Sequence, residues 1–150
     1  MFHRLFAVSL ASVVCVTGAL GQDTKDAAEE LKKVLMQLEG AWTSVSVERD
    51  GQALGEDFVK DFKLVFKDDK VTARHPAKFK LDLSKTPKRI DVTPEEGPDK
   101  DRTIEGIYEL KGEDLKVCIA LPGKERPKEF VSKPDSGTVL FVLKKAKADK

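Results

Sequence analysis

Apolar residues recur every three or four positions near the start of the chain and at every second position further along. Between Asp23 and Leu38 the helical spacing aligns one apolar side chain per turn on a single face. These side chains belong to Ala28, Leu31, Leu35 and Leu38. Asp23 or Thr24 can cap the first turn, and Gly40 can end the helix in a left-handed conformation. The pattern predicts one amphipathic helix within residues 22–39.

After residue 40 the period changes to two, which is typical of strands with one dry face and one wet face. Turn residues separate eight short segments of this kind. The segments are Trp42–Arg49, Phe62–Phe66, Val71–His75, Phe79–Leu83, Ile90–Val92, Ile104–Leu110, Leu115–Leu121 and Thr138–Lys145. Phe58, Val59 and Phe62 would also suit a helical turn, and Pro76 is expected to stop the third strand. The connections are too short for the crossover helices of a parallel sheet, so we expect a mainly antiparallel, all-β barrel or sandwich.

The first 21 residues have the layout of a secretory signal peptide. A basic start at residues 3–4 precedes an uncharged run over residues 5–16. Ala19 and Gly21 are small residues at the two positions that a signal peptidase reads, so we expect cleavage before Gln22. The protein is therefore predicted to be exported, to the periplasm or the extracellular space.

Two other interpretations of this segment fit less well. A membrane anchor needs about 20 apolar residues, and the run is shorter. Attachment of lipid to Cys15 is disfavoured because the bulky Val14 precedes it. We expect no stable membrane insertion after the signal is removed.

Charge and composition exclude several classes of function. The chain has 27 basic and 26 acidic residues, and removal of residues 1–21 takes away one basic residue and leaves a net charge of zero. A balanced, interspersed charge gives no reason to expect binding to nucleic acid. One histidine and one cysteine remain, His75 and Cys118, so no internal disulfide can form and we expect neither a metal site nor a cofactor.

The residues from 38 to 145 resemble a family of small, uncharacterised, lipocalin-like proteins that is abundant in planctomycete bacteria. The G-x-W pattern Gly40-Ala41-Trp42 opens the resemblance, and six longer stretches carry it. The stretches are Ser46–Gly51, Pro87–Thr93, Glu105–Leu110, Leu115–Ala120, Pro122–Phe130 and Val139–Lys144. The resemblance implies an eight-stranded, up-and-down, calycin-type barrel over residues 40–145 with a Trp at its closed end, followed by a frayed tail at residues 146–150. Lys144 and Lys145 stand where lipocalins often place an Arg over that Trp.

The interior of such a barrel holds the candidate ligand-binding residues. Trp42 is expected to plug the closed end, and the remaining candidates are expected to point inward. They are Phe62, Phe66, Phe79, Leu81 and Tyr108. An eight-stranded barrel can be filled by its own side chains or can hold one small ligand, and both alternatives stay open here.

Catalytic chemistry is not indicated by the sequence. Cys118 shares strand parity with Lys116, so it is expected to face outward beneath a loop or to fill a gap in the outer layer, far from His75 on the third strand. Asp99 and Asp101 have the initial spacing of a calcium loop, but its later Gly and Glu are missing. No nucleophile elbow, phosphate loop or zinc signature is present, and we expect no enzyme.

The connection from Pro122 to Gly137 is unusually long for two neighbouring strands, and loops of this length often have a function. We expect Phe130 to pack on the barrel and Arg126 to bind a fixed acceptor, Asp91 or Glu105 on the outer wall. The guanidinium then either straps the loop down or recognises an anionic group on a ligand or partner.

Two functions follow from these features. The first is an exported binding module that takes a small, partly apolar ligand into the barrel. The alternative is a protein-interaction domain with a filled barrel, which meets an envelope or regulatory protein through its loops and outer wall. An empty interior of several hundred Å³ would favour the first.

Overall fold

The structure is a computed structural model, and it describes residues 20–147. An N-terminal helix, α1 (Leu20–Leu38), leads into the first strand, β1 (Gly40–Arg49). A two-residue strand, β2 (Gln52–Ala53), and a short helix, α2 (Glu56–Asp61), follow. The remaining strands are β3 (Lys63–Lys67), β4 (Lys70–Thr72), β5 (Pro76–Asp82), β6 (Arg89–Pro94), β7 (Ile104–Lys111), β8 (Asp114–Ala120) and β9 (Thr138–Lys145). No helix within the described part of the chain is long and apolar enough to cross a membrane.

The strands form a closed, antiparallel, up-and-down barrel. Each of the strands from β3 to β9 pairs with the next in sequence, and β1 pairs with both β3 and β9. Strand β2 only extends the end of β1 as a hairpin. The barrel itself thus has eight strands, as the alternating pattern and the resemblance predicted, with a register irregularity in β1 between Ser44 and Ser46.

The two ends of the barrel differ. Helix α1 lies across one end, where Trp42, Leu38 and Leu143 are fully buried. The opposite end, which we call the mouth, is bordered by four connections, at residues 50–62, 73–75, 95–103 and 121–137. Short turns join the strands at the closed end, including the Asp68-Asp69 turn between β3 and β4.

Three local predictions need correction. Asp23 and Thr24, the predicted caps, lie inside the described helix α1 and not at its start. Strand β4 ends at Thr72, so His75 lies in a turn, and Pro76 begins β5 instead of stopping a strand. A proline is tolerated at the first position of a strand because its missing N–H is not needed there. The helical alternative for Phe58 and Val59 is confirmed as α2.

The structure describes only part of the predicted segments at the two ends of the chain. The predicted signal peptide lies almost wholly outside the described residues, as do residues 148–150 of the predicted frayed tail. Ala146 does not fray, since its N–H donates to the carbonyl of Ala41 at 2.9 Å. Gly40 has a positive φ of 112°, which is the conformation expected of a glycine after a helix.

Candidate functional site

A cavity of about 420 Å³ occupies the mouth half of the barrel. Fourteen of the eighteen residues that line it are apolar, and the four polar ones, Arg74, His75, Glu96 and Asp99, belong to the connections around the mouth. Its volume falls within the range of small-molecule pockets, and its composition is typical of them. The interior is therefore not filled by side chains along its whole length.

The wall of the cavity comes from inward-facing positions on neighbouring strands. Five apolar side chains there are only partly buried, although they pack against the core on one side. They are Phe62, Leu64, Val92, Ile119 and Phe141. Apolar surface of this kind gains free energy when a ligand removes it from water.

The closed half of the barrel is packed. Phe66 and Phe79 meet edge to face, with ring centres 5.2 Å apart, and Trp42 is fully buried below them. Tyr108 and Leu115 are also buried here. This packing gives the cavity a solid floor.

The structure brings only some of the predicted ligand-binding residues together. Phe62 and Phe66 line the cavity. Trp42, Phe79 and Tyr108 point inward as predicted but belong to the packed half, and Leu81 borders a crevice beside α1. Arg126 lies on the outer wall.

Sequence reasoning missed most of the cavity wall. Phe141 and Ile119 have the inward parity of their strands, so the alternating pattern could have found them. Arg74 has no such signal, because it lies in a turn and its position depends on how α2 folds over the mouth.

A column of three aromatic rings descends from the mouth along one side of the cavity. Phe58 of α2 stacks on Phe62 with ring centres 5.7 Å apart, and Phe62 stacks on Phe141 at 5.0 Å. The guanidinium carbon of Arg74 lies 5.3 Å from the centre of the Phe58 ring, at the outer end of the column. A cation over an aromatic face is attracted by the ring quadrupole, so Phe58 holds the guanidinium beside the mouth.

The other three polar residues of the cavity lining have partners of their own. His75 Nδ1 lies 3.9 Å from a carboxylate oxygen of Glu96, and Arg102 Nη1 lies 3.9 Å from Asp99 Oδ1. Arg74 makes no ion pair with any residue between 23 and 147. The rim of the cavity therefore carries one guanidinium without a carboxylate partner in that range.

Arg126 fastens the segment 121–137 to the outer wall. Its Nη1 donates to the carbonyl of Gly106 at 2.8 Å, and its Nη2 lies 2.7 Å from Asp91 Oδ1 and 3.1 Å from Glu105 Oε1. Of the two predicted partners, Glu105 accepts a hydrogen bond from Arg126, and Asp91 forms an ion pair with it. Phe130 is half-buried and borders a crevice next to Tyr108.

Cys118 lies under the same segment, facing outward from β8 as predicted. Its side chain is fully buried, and its Sγ lies 3.8 Å from the carbonyl oxygen of Val131. Burial raises the pKa of the thiol to about 11, although the contact with Val131 opposes the shift. A thiol with such a pKa is a poor nucleophile at neutral pH.

Tyr108 is a buried ionisable residue in the closed half. Burial, and then the negative charge of Glu30, raise the pKa of its hydroxyl to about 12. No residue among those described hydrogen-bonds to this hydroxyl. Among residues 20–147 no cluster of three or more potential metal ligands occurs either.

Comparisons of the chain with protein-family models, with curated proteins and with solved structures found no match.

Proposed function

We propose that this protein is an exported binding module that holds a small, largely apolar molecule in the mouth half of its barrel. The observation that carries the proposal is the cavity of about 420 Å³, whose wall includes five partly buried apolar side chains. A domain that acted only through its outer wall would have no need of this opening. In this proposal the protein binds its ligand and does not transform it.

Export is part of the proposal and rests on the pattern of residues 1–21. The resemblance to lipocalin-like proteins supports it, since many members of that family carry signal peptides. N-terminal sequencing of the protein recovered from its own cells tests it. We expect a chain that begins near Gln22, and an intact Met1 would contradict export.

A cavity-filling variant tests the binding function. Ala77 is a small, buried residue in the cavity wall, so Ala77→Phe places a ring in the space proposed for the ligand. We expect the wild type to bind Nile red, a neutral apolar dye, with a rise in fluorescence, and we expect Ala77→Phe to lose this signal. Because the new ring enters an existing cavity and not a packed core, the melting temperature of Ala77→Phe should not fall below that of the wild type.

The matched control is Ala41→Phe, which adds the same ring on the outer face of the same barrel. Ala41 pairs with the exposed Val65, so this variant leaves the cavity unchanged and should bind Nile red like the wild type. Equal binding by Ala77→Phe and the wild type would contradict the proposal. Native mass spectrometry of the natural protein adds a second test, since a co-purifying protein without any small molecule would favour the interaction domain.

A further inference from the structure

We propose that Arg74 makes the cavity selective for an anionic head group, so that the preferred ligand is a small amphiphile with a carboxylate or phosphate at one end. This inference rests on the proposed function, because it assigns the ligand class of the same cavity.

The first step concerns where a charged group could lie. The wall of the cavity between the strands is apolar, and a charge buried there without a partner would be strongly unfavourable. A ligand with one charged end must therefore point its apolar chain inward and leave the charge at the mouth. The four polar residues of the lining all belong to the mouth, which fits this orientation.

The second step concerns the sign of the charge. Asp99 lies 3.9 Å from the guanidinium of Arg102, and Glu96 lies 3.9 Å from the imidazole of His75, which forms an ion pair with it only when protonated. Arg74 has no such partner within residues 23–147, and its guanidinium is held over Phe58. A guanidinium keeps its charge at any ordinary pH and offers donors in a fork that matches the oxygens of a carboxylate or phosphate.

The third step joins the two groups. Phe58, Phe62 and Phe141 form one stacked column, and the last two of these rings line the cavity. An apolar chain lying along the column inside the barrel would bring its head group to the outer end, where Arg74 lies. The column therefore fixes the distance between the apolar and the cationic parts of the site.

The experiment compares three ligands of one chain length: dodecanoate, dodecyl phosphate and dodecanol. Each is titrated below its micelle concentration into delipidated protein, and the displacement of Nile red is measured. We expect the two anions to bind about tenfold more tightly than the alcohol, which is the size of effect expected of one charge-assisted hydrogen-bonded pair. In Arg74→Gln we expect this preference to vanish while the affinity for dodecanol is kept.

The matched control is Arg49→Gln, which removes the same charge from another arginine outside the cavity lining. It should keep the full preference for anions, and thermal melting should show that both variants are folded. If either anion binds the wild type more tightly than dodecanol does, and only Arg74→Gln loses this difference, the inference is supported. The anion that binds more tightly then identifies the preferred head group. Equal binding of all three ligands by the wild type would overturn the inference and leave the proposed function standing. A preference that persists in Arg74→Gln would also overturn it, and failure of every ligand to bind would overturn the proposed function as well.

Discussion

The indole Nε1 of Trp42 donates a hydrogen bond to the carbonyl of Leu38, the last residue of α1, across 2.7 Å. On the neighbouring strand β9, the ammonium of Lys145 lies 5.3 Å from the centre of the same indole and donates to the carbonyl of Gln37 at 2.7 Å. The last carbonyls of a helix have no hydrogen-bond donor within it. The side chains of Trp42 and Lys145 supply donors to two of these carbonyls, which would otherwise be unpaired. The closed end is therefore held by specific polar contacts as well as by apolar packing.

We expect Trp42→Phe to destabilise the protein, because it leaves the buried carbonyl of Leu38 without its donor. The cost should be about 1–3 kcal/mol for this group, with an added cost for the space that the smaller ring leaves. Urea unfolding of the variant and the wild type measures the difference. Hydrogen exchange locates it: amides of α1 should exchange faster, and those between β7 and β8 should not. Unchanged exchange in α1 would contradict a role of the indole in holding the helix.

Much of the barrel could be predicted from the sequence because alternation reports the face on which each side chain lies. It does not report depth along the barrel axis. Phe79 and Ala77 share one face of β5, yet Phe79 packs into the core of the closed half and Ala77 lines the cavity. The two side chains lie at different depths because β5 runs from the mouth to the closed end. This direction follows only from the up-and-down order of the strands.

The residues of the mouth were the least predictable. The position of Arg74 depends on α2, a six-residue helix of which the sequence indicated only a helical turn around Phe58 and Val59, with no certain boundary to the next strand. The acceptors of Arg126 were easier, because Asp91 and Glu105 are opposite each other on adjacent strands and both have outward parity. A long basic side chain in the loop above them has two carboxylates within reach.

Arg126→Ala should destabilise the protein and leave ligand binding unchanged. The side chain is largely buried at 17% exposure and contacts Gly106, Asp91 and Glu105, so we expect a loss of about 1–3 kcal/mol in the free energy of unfolding. Thermal melting and Nile red titration measure the two quantities. Arg102→Ala is the control, since its exposed side chain pairs only weakly with Asp99 and its removal should change little.

The opposite outcome for Arg126→Ala would indicate recognition. Normal stability with lost binding would mean that the guanidinium meets the ligand or partner. If Arg126→Ala changed neither the melting temperature nor the binding of Nile red, Arg126 would neither hold the segment 121–137 in place nor recognise a ligand.

Tyr108 should titrate well above an ordinary tyrosine. Since burial raises its pKa to about 12, the unfolded chain ionises first as the pH passes 10, the usual value. The stability contributed by the neutral hydroxyl is complete below pH 10 and is lost progressively between pH 10 and 12. Tyr108 is the only tyrosine of the chain, so the near-ultraviolet absorbance of tyrosinate follows it directly. A midpoint near 10 in folded protein would show that the hydroxyl is accessible to water.

Cys118 should resist alkylation while the protein is folded. The reactive species is the thiolate, and a pKa of about 11 leaves roughly a thousandth of the thiol ionised at pH 8, against about a tenth for a pKa of 9.0. Access is blocked as well, because the side chain is fully buried under the segment that contains Val131. Treatment with iodoacetamide, followed by mass spectrometry of the peptide that contains Cys118, should show at least about a hundredfold slower labelling than in guanidinium. If Arg126 straps this segment down, Arg126→Ala should label faster than the wild type under the same conditions. Rapid labelling of the folded wild type would mean that the segment opens freely and that the contacts of Arg126 do not hold it.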